Sequence, residues 1–486
     1  MQMSMSQKGI GFVGRSREIG QIRTALDSPE ASIVSVEGMR GVGKSALVAR
    51  AVESFDHLVF RVPPLPAPLQ RAALAAVLAG RVDAEGGTAG DPRGAWARFD
   101  GIPSWDELFT AALRRARPGE APFVLVLDDA HRLEEARARH IEPILGALRT
   151  ARSDRRPVHI VLAGPSGGTV TSEGAEALTA ERLTVGPLPL RPACQLLPGT
   201  SPRDLLRAYA TLGGIPRVLV AVDRDVTLET NIRKLFLDPD APFADIPAAW
   251  LERDLQTPSR YNAILARVAH GECDWGDIHR AVPDLTSSGQ LAPYVRRLEG
   301  LGLVSVRRSL DAGPDSRSQR YTLADPLLAF WYRFVLSTPY GMHPDSPDRR
   351  LRWIKETIDD HLATTFPLIC RQHMAHDAIE TLGANARELG SLWGPGYDLP
   401  VAGILTSGAA FYGSCSWRPP ARGDDPLGAL DREARQTRYG FGRQHRLRLY
   451  FTSSDAPRWL ERAAARLEQC LLLGPGALVG ARPDRS

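Results

Sequence analysis

Cysteine is scarce in this chain of 486 residues: five, at Cys194, Cys273, Cys370, Cys415 and Cys470, with no C-x-x-C pair among them. The odd count and scattered spacing argue against a disulfide framework and against a cysteine zinc site, and make a reduced, cytoplasmic setting the expected one. Long apolar runs are also missing. None approaches eighteen residues, so no membrane span is expected. The opening segment, residues 1–11, is polar and has no apolar stretch of the kind a secretory signal needs. A strong charge bias is lacking too. The net charge is +4, so overall charge neither demands nor excludes a nucleic-acid partner. Lysine is scarce and arginine abundant. What remains is ordinary for a soluble globular chain, 43% hydrophobic and 24% charged, with length for roughly three domains.

The first sixty residues alternate helix and strand. Arg17 to Asp27 carries Ile19, Ile22 and Leu26 at helical spacing, and Ala31 to Glu37 is a short β-branched run. A glycine-rich segment follows, then a helical pattern from Ser45 to Phe55 and a second short strand from Leu58 to Val62. That order opens a parallel α/β sheet. Ser104 with Glu107 three residues on predicts a capped helix to Arg115. Phe123 to Leu127 and His159 to Ala163 read as central parallel strands, giving at least four strands in this half, while residues 63–101 read as a surface excursion around a helix from Gln70 to Ala79. Beyond Gly213 the pattern becomes largely helical, and residues 341–470 mix helices with weak strand signals.

The glycine-rich segment Gly38-Met39-Arg40-Gly41-Val42-Gly43-Lys44-Ser45 fits G-x-x-x-x-G-K-[ST]. Gly38, Gly41 and Gly43 let backbone N–H groups converge on phosphates, Lys44 supplies a charge for the β and γ oxygens, and the Ser45 hydroxyl is placed to ligate Mg²⁺. Ser45 and Ala46 open the next helix, just after Lys44, and its N-terminus faces the anion. Val124-Leu125-Val126-Leu127-Asp128-Asp129 has the partner form, an apolar strand ending in two acids. Asp128 is assigned to Mg²⁺ and Asp129 to orienting the attacking water. ATP and Mg²⁺ are therefore the expected cofactors, with Lys44, Asp128 and Asp129 as the catalytic set.

Phe12-Val13-Gly14-Arg15-Ser16-Arg17-Glu18 resembles the FxGRxxE box of the signal-transduction (STAND) and archaeal-type ATPases among the AAA+ relatives. The strand Ile160 to Ala163, running into Gly164-Pro165-Ser166, resembles the sensor-1 strand, which implies Ser166 near the γ-phosphate. Gly213-Gly214-Ile215-Pro216-Arg217 resembles the GxP motif, which implies that Pro216 packs on the nucleotide base from a helical lid. The resemblance narrows in the second half. Leu291 to Val304 is similar to the recognition helix of ATPases that carry a winged helix and a C-terminal domain like PD-(D/E)XK nucleases. Tyr321-Thr322-Leu323-Ala324-Asp325-Pro326-Leu327-Leu328-Ala329-Phe330-Trp331-Tyr332-Arg333-Phe334 is similar to their aromatic box. Its aromatics read as packing between domains rather than as a cofactor cage.

The implied fold is an α/β P-loop NTPase core over residues 1–190 with a helical lid over 191–257. A winged helix-turn-helix follows over 258–340, then a restriction-endonuclease-like α/β domain over 341–473, and a disordered tail over 474–486. The last domain departs from its active relatives. Phe366-Pro367 stands where Phe-Glu is expected, Asp398 is kept, and Gly413-Ser414-Cys415-Ser416-Trp417 has serines in place of the Glu and Lys. Two hydroxyls cannot supply the charge that a divalent metal needs, so no nuclease activity is expected.

The winged helix implies double-stranded DNA as a partner, through a helix over Thr286 to Leu301 with Arg296 and Arg297. The wing carries Arg307, Arg308, Arg317 and Arg320. An Arg-rich C-terminal segment adds Arg418, Arg422, Arg432, Arg435, Arg438, Arg443, Arg446 and Arg448. The functional expectation is an ATP-binding, slowly hydrolysing molecular switch that couples nucleotide state to its C-terminal half and a protein partner or second copy. The alternatives are an ATP-responsive DNA-binding regulator and a scaffold with a vestigial P-loop.

Overall fold

The computed structural model describes residues 11–79, 103–133, 141–165, 173–245, 258–313, 316, 318–336 and 346–481. They divide into two compact units, one of residues 14–186 and the other of residues 11–13 together with those from residue 187 onward.

The first unit is built on five parallel strands: β1 (Ser32–Glu37), β2 (Asp56–Arg61), β3 (Phe123–Asp128), β4 (Val158–Gly164) and β5 (Thr179–Thr184), in the order β2-β3-β4-β1-β5. β1, β3 and β4 are buried along their whole length. Strands covered on both faces need apolar side chains at successive positions rather than alternate ones. Alternation still sorts the residues by face. Leu125 and Leu127 of β3 pack with Trp105, Phe109 and Leu148 on one side. Val124 and Val126 pack with Ile22, Leu47 and Val52 on the other. The helix Trp105–Leu113 starts on the expected capping box: Glu107 N–H donates to Ser104 Oγ at 3.3 Å, and Ser104 N–H to Glu107 Oε2 at 2.7 Å. Such a cap contributes about 1 kcal/mol. The fifth strand, β5, was not among the expected ones. Its sequence is polar and only Leu183 is buried, as befits a sheet edge.

The second unit begins with short helices at Leu190–Cys194, Pro202–Leu212, Pro216–Leu219 and Leu228–Ile232, the last continuing into a π-turn at Arg233–Leu237. Helices Pro258–Ala269, Trp275–Arg280 and Ala292–Gly300 follow, then an antiparallel ribbon of β6 (Val304–Arg307) and β7 (Arg320–Leu323). The helix expected over Thr286 to Leu301 is divided. Residues Ser288–Leu291 form a 3₁₀ turn, and Pro293 lies in the first turn of the α-helix, where its missing N–H has no intrahelical acceptor to lose.

The thirty-residue helix Pro347–His376 leads into β8 (Ala386–Gly394), β9 (Tyr397–Leu405) and β10 (Ala410–Ser416), an antiparallel meander. After helix Pro426–Gln436, β11 (Arg446–Thr452) pairs parallel to β10, and β12 (Cys470–Leu473) parallel to β11. The disordered tail expected from Gly474 is corrected over its first residues. Pro475–Val479 is a helix with Leu478 fully buried, and Arg191 donates to the Leu478 and Ala477 carbonyls at 3.3 and 3.1 Å. Its glycines and proline serve as caps: Gly480 is left-handed at the C-cap, and Pro475 opens the first turn.

The aromatic box packs as expected. Phe330 meets Phe236 edge-on with centroids 5.7 Å apart, and Phe334 meets Trp353 at 5.0 Å. Trp331 Nε1 donates to the Ala244 carbonyl at 2.7 Å, and the Tyr332 hydroxyl to Asn262 Oδ1 at 2.8 Å. One box thus ties the helices after residue 187 to both the Pro258–Ala269 helix and the long C-terminal helix.

Candidate functional site

The glycine loop lies between the end of β1 and the helix Lys44–Val52. Its glycines have distinct reasons. A Cβ on Gly38 would stand 2.3 Å from the Val185 carbonyl oxygen, so the loop's first turn admits no side chain. Gly41 and Gly43 have φ of 90° and 94°, a region costly for any residue with a Cβ. Lys44 Nζ folds across the loop, donating to the Gly38 and Met39 carbonyls at 2.8 and 2.9 Å. Burial pulls the Lys44 ammonium below its ordinary pKa, opposed by the nearby Asp129 and Asp128 carboxylates. Ser45 and Ala46 are exposed on the first turn of the helix.

β3 brings its two acids to this loop. The Ser45 hydroxyl donates to Asp128 Oδ1 at 3.0 Å, joining residues 83 apart in sequence. Asp128 is 5% exposed, and its Oδ2 accepts from Arg61 Nε at 3.1 Å. Asp129 differs from its neighbour. It adopts a left-handed φ of 56°, and its Oδ2 lies 3.2 Å from Arg132 Nη1. The predicted pair therefore has one carboxylate facing the loop serine and one held by a basic partner on the following turn. The charges and spacing suit a Mg²⁺–triphosphate: an ammonium folded onto the loop carbonyls and a hydroxyl–carboxylate pair 3.0 Å apart.

Three further side chains contribute. Arg61 reaches Asp128 only through the fold, from 67 residues away, while Arg132 lies three residues from Asp129 on the following turn. Arg15, read as part of a box, has its guanidinium on the Val42 carbonyl at 3.5 Å, on the Gly186 carbonyl, and on Glu18 at 2.9 Å. It thereby ties the start of the unit to the glycine loop. Ser166 lies outside the described residues.

Pro216 occupies the first turn of its short helix, in the second unit. The glycines before it have packing reasons: a Cβ on Gly214 would lie 2.0 Å from the Leu188 carbonyl oxygen, and one on Gly213 would lie 2.5 Å from Asp325 Oδ1. Asp325, from the aromatic box, is fully buried and caps its own helix, accepting from the Leu327 N–H at 2.9 Å. Burial pushes its carboxyl up to about 6, against hydrogen bonds from the Leu327, Gly214 and Leu328 amides. Two motifs that read as separate are thus one packed joint.

The arginines expected to face DNA divide. Arg296 and Arg297 are exposed on the Ala292–Gly300 helix. Arg307 and Arg320 turn inward to Glu272, the latter at 2.6 Å, and Arg320 also grips Asp398 at 3.0 and 3.1 Å. Arg317 lies outside the described residues. The segment after the ribbon's first strand docks on β8: Leu310 N–H donates to the Ser391 carbonyl at 3.0 Å and Trp393 N–H to Ser309 Oγ at 3.0 Å. In the Arg-rich segment Arg418 pairs with Asp360, Arg432 with Asp425, and Arg435 and Arg448 with Asp431. Much of that apparent footprint is neutralised locally. Phe366 is fully buried against Trp417, with ring centroids 5.6 Å apart.

Residues 11–149 match the AAA ATPase domain family. Together with the parallel sheet and its glycine loop, the match supports a nucleotide-binding, AAA-type P-loop ATPase domain in the first unit. The chain is 18% identical over 407 residues to an uncharacterized protein of Methanocaldococcus jannaschii, covering 81% of this chain and 84% of that one. Among solved structures it is similar to the Walker-type ATPase of Pyrococcus abyssi, with 16% identity, TM-score 0.46, and coverage of 66% of this chain and 96% of that one. It is also similar to the Aeropyrum pernix ORC2 protein, with 15% identity, TM-score 0.44, and coverage of 74% and 99%. No described helix is long and apolar enough to cross a membrane.

Proposed function

We propose that this protein is an ATP-binding, slowly hydrolysing switch of the STAND type. The observation that carries the reading is the Ser45–Asp128 hydrogen bond at 3.0 Å, with Lys44 folded onto its own loop beside it. Bound Mg²⁺ would supply positive charge that neutralises the phosphate oxygens. Ser45 and Asp128 are the residues to hold it. Gly38, Gly41, Gly43 and the first amides of the helix, through Ala46, bind the phosphates. Lys44 places a cation at the γ oxygens. Asp129 orients water, with its Oδ2 held 3.2 Å from Arg132 Nη1.

In this reading residues 191–257 are the lid, with Pro216 packing on the base and Ser166 near the γ-phosphate. Residues 258–340 are a winged helix, supported by three helices followed by an antiparallel ribbon. Residues 341–473 are a restriction-endonuclease-like domain, supported by the helix, three-strand meander, helix, parallel-strand order. Its nuclease chemistry is absent because Asp398 is held by Arg320 and β10 offers Ser414 and Ser416 in place of acids. Nucleotide state would act through the differential contact at the γ-phosphate.

Binding and turnover of Mg·ATP by wild type beside Lys44→Ala test the reading. Binding lost in the variant is the expected result; no binding by either protein overturns it. A second reading, an ATP-responsive DNA-binding regulator, is favoured by the exposed Arg296–Arg297 pair alone. Duplex DNA that raises turnover, and fails to do so after Arg296→Ala/Arg297→Ala, would promote it.

A further inference from the structure

A cavity of about 410 Å³ opens inside the second unit, between the helix Pro258–Ala269, the ribbon, the long helix, the start of β9 and the end of β10. Three guanidinium groups line it: Arg307, Arg320 and Arg371. Two have carboxylate partners. Arg307 pairs with Glu272, and Arg320 with Glu272 and Asp398. Arg371 has none among the described residues. It is 9% exposed, and its one described hydrogen bond runs from Nη1 to the Pro400 carbonyl at 2.8 Å. Arg307 Nε, also buried, has no acceptor among the described residues.

The carboxylates on the cavity wall leave Arg371 unpaired among the described residues. Glu272 and Asp398 are both engaged by Arg307 and Arg320, and the third acid on the cavity wall, Asp325, is engaged by backbone amides and forms no ion pair with Arg371 among the described residues. A guanidinium removed from water with no counter-ion is strongly disfavoured, and its planar fork of donors matches the oxygens of a phosphate. Desolvation, with the like charges of Arg371 and Arg320, pushes Arg307 down to about 9, so the cluster repels itself as it stands.

We infer that this cavity is a binding site for the phosphate group of a small phosphorylated molecule, with Arg371 as its principal ligand and Arg307 and Arg320 beside it. The volume exceeds that of phosphate alone and falls in the range of small-molecule sites. The hydroxyl of Ser414 on β10 lies on the same wall. The site is separate from the glycine loop and does not depend on the reading of that loop. Its occupant would touch both the ribbon and the C-terminal sheet, and so would fix one against the other.

The test uses the full chain with Lys44→Ala, which silences the glycine loop as a phosphate site. Inorganic phosphate and a 5′-nucleoside monophosphate are titrated separately, by calorimetry and by thermal melting. Saturable binding, with a rise in melting temperature, is expected for at least one. Tighter binding of the nucleotide identifies an organic phosphate, and equal binding identifies phosphate itself. Adding Arg371→Met should abolish the ligand-dependent rise, yet leave the ligand-free protein melting no lower, because an uncompensated buried charge has been removed. Asp398→Asn should tighten binding severalfold, since its carboxylate competes with the ligand for Arg320. The inference is overturned if neither compound binds, if Arg371→Met binds as well as its parent, or if Asp398→Asn leaves affinity unchanged. The Asp398→Asn arm decides alone should the Arg371 variant not fold.

Discussion

The Ser45 hydroxyl and the Asp128 carboxylate, from a helix start and a strand end 83 residues apart, meet at 3.0 Å. If they share a Mg²⁺ in the working site, their substitutions separate binding from turnover. Lys44→Ala should weaken Mg·ATP binding at least a hundredfold. Asp128→Asn should retain nucleotide binding within about tenfold and lose turnover by a hundredfold or more, the scale of losing one charge-stabilising group at a transition state. Calorimetry beside a phosphate-release assay reads both. Equal losses in binding and turnover for Asp128→Asn would count against a metal role.

Arg61 presents a second consequence of the same carboxylate. Its Nε lies 3.1 Å from Asp128 Oδ2, and its side chain is 56% exposed. An ion pair that open to solvent contributes under about 1 kcal/mol, so Arg61→Ala should leave melting nearly unchanged. Removing the cation should lower the Mg²⁺ concentration needed for half-maximal nucleotide binding severalfold. An unchanged Mg²⁺ requirement would show that Arg61 does not compete for the carboxylate.

Two buried groups set opposing pH dependences on the second unit. His361 is fully buried beside Phe330 and Phe334, neither ring nitrogen has a hydrogen-bond partner among the described residues, and burial holds it down to about 3. Its folded pKa is depressed from 6.5, so the folded state binds fewer protons than the unfolded, and stability falls as pH drops below 6.5 toward 3. Asp325 is raised from 3.8 to about 6, so its contribution is full below 3.8 and is lost as pH rises through 6. Asp325→Asn should therefore steepen the acid loss of stability between pH 6 and 4. His361→Leu should flatten it, and should raise stability at neutral pH by about 1–2 kcal/mol by removing unsatisfied polar atoms. Urea melts at pH 4, 5, 6 and 7 measure both slopes; parallel curves for all three proteins would refute the assignment.

The glycines before Pro216 make a steric prediction. Gly214→Ala would press a Cβ to 2.0 Å from the Leu188 carbonyl oxygen, a backbone atom, and should cost about 3 kcal/mol. Gly20→Ala, inside the helix Ser16–Leu26 with nothing within 4 Å of its Cβ, should instead stabilise by about 0.5–1 kcal/mol. Opposite shifts in thermal melting are expected; a destabilised Gly20→Ala or a neutral Gly214→Ala would contradict the packing.

What the chain's order dictated by itself is local. Gly38, Gly41, Gly43, Lys44 and Ser45 lie within eight residues, and their chemistry depends on backbone angles that neighbouring residues set. The apolar runs of β1, β3 and β4 likewise announce strands buried on both faces, and Ser104 with Glu107 announces a helix start. Edge strands were less legible. β5 and β8 carry polar or small residues because one side faces water, which leaves little periodicity to read. Charge was the least legible feature of all. Arg307, Arg320 and Arg448 looked alike in sequence as cations available to a polyanion, yet each has a carboxylate partner 17 to 78 residues away. The same holds at the candidate site, where Arg61 joins Asp128 from 67 residues away and Arg15 joins the Gly186 carbonyl from 171. A side chain's pKa, its availability and its partner depend on what lies within a few ångströms in space. Only the tertiary structure brings those groups together, so it alone decided which of the described arginines are spent on carboxylates and that Arg371 is buried without one among the described residues.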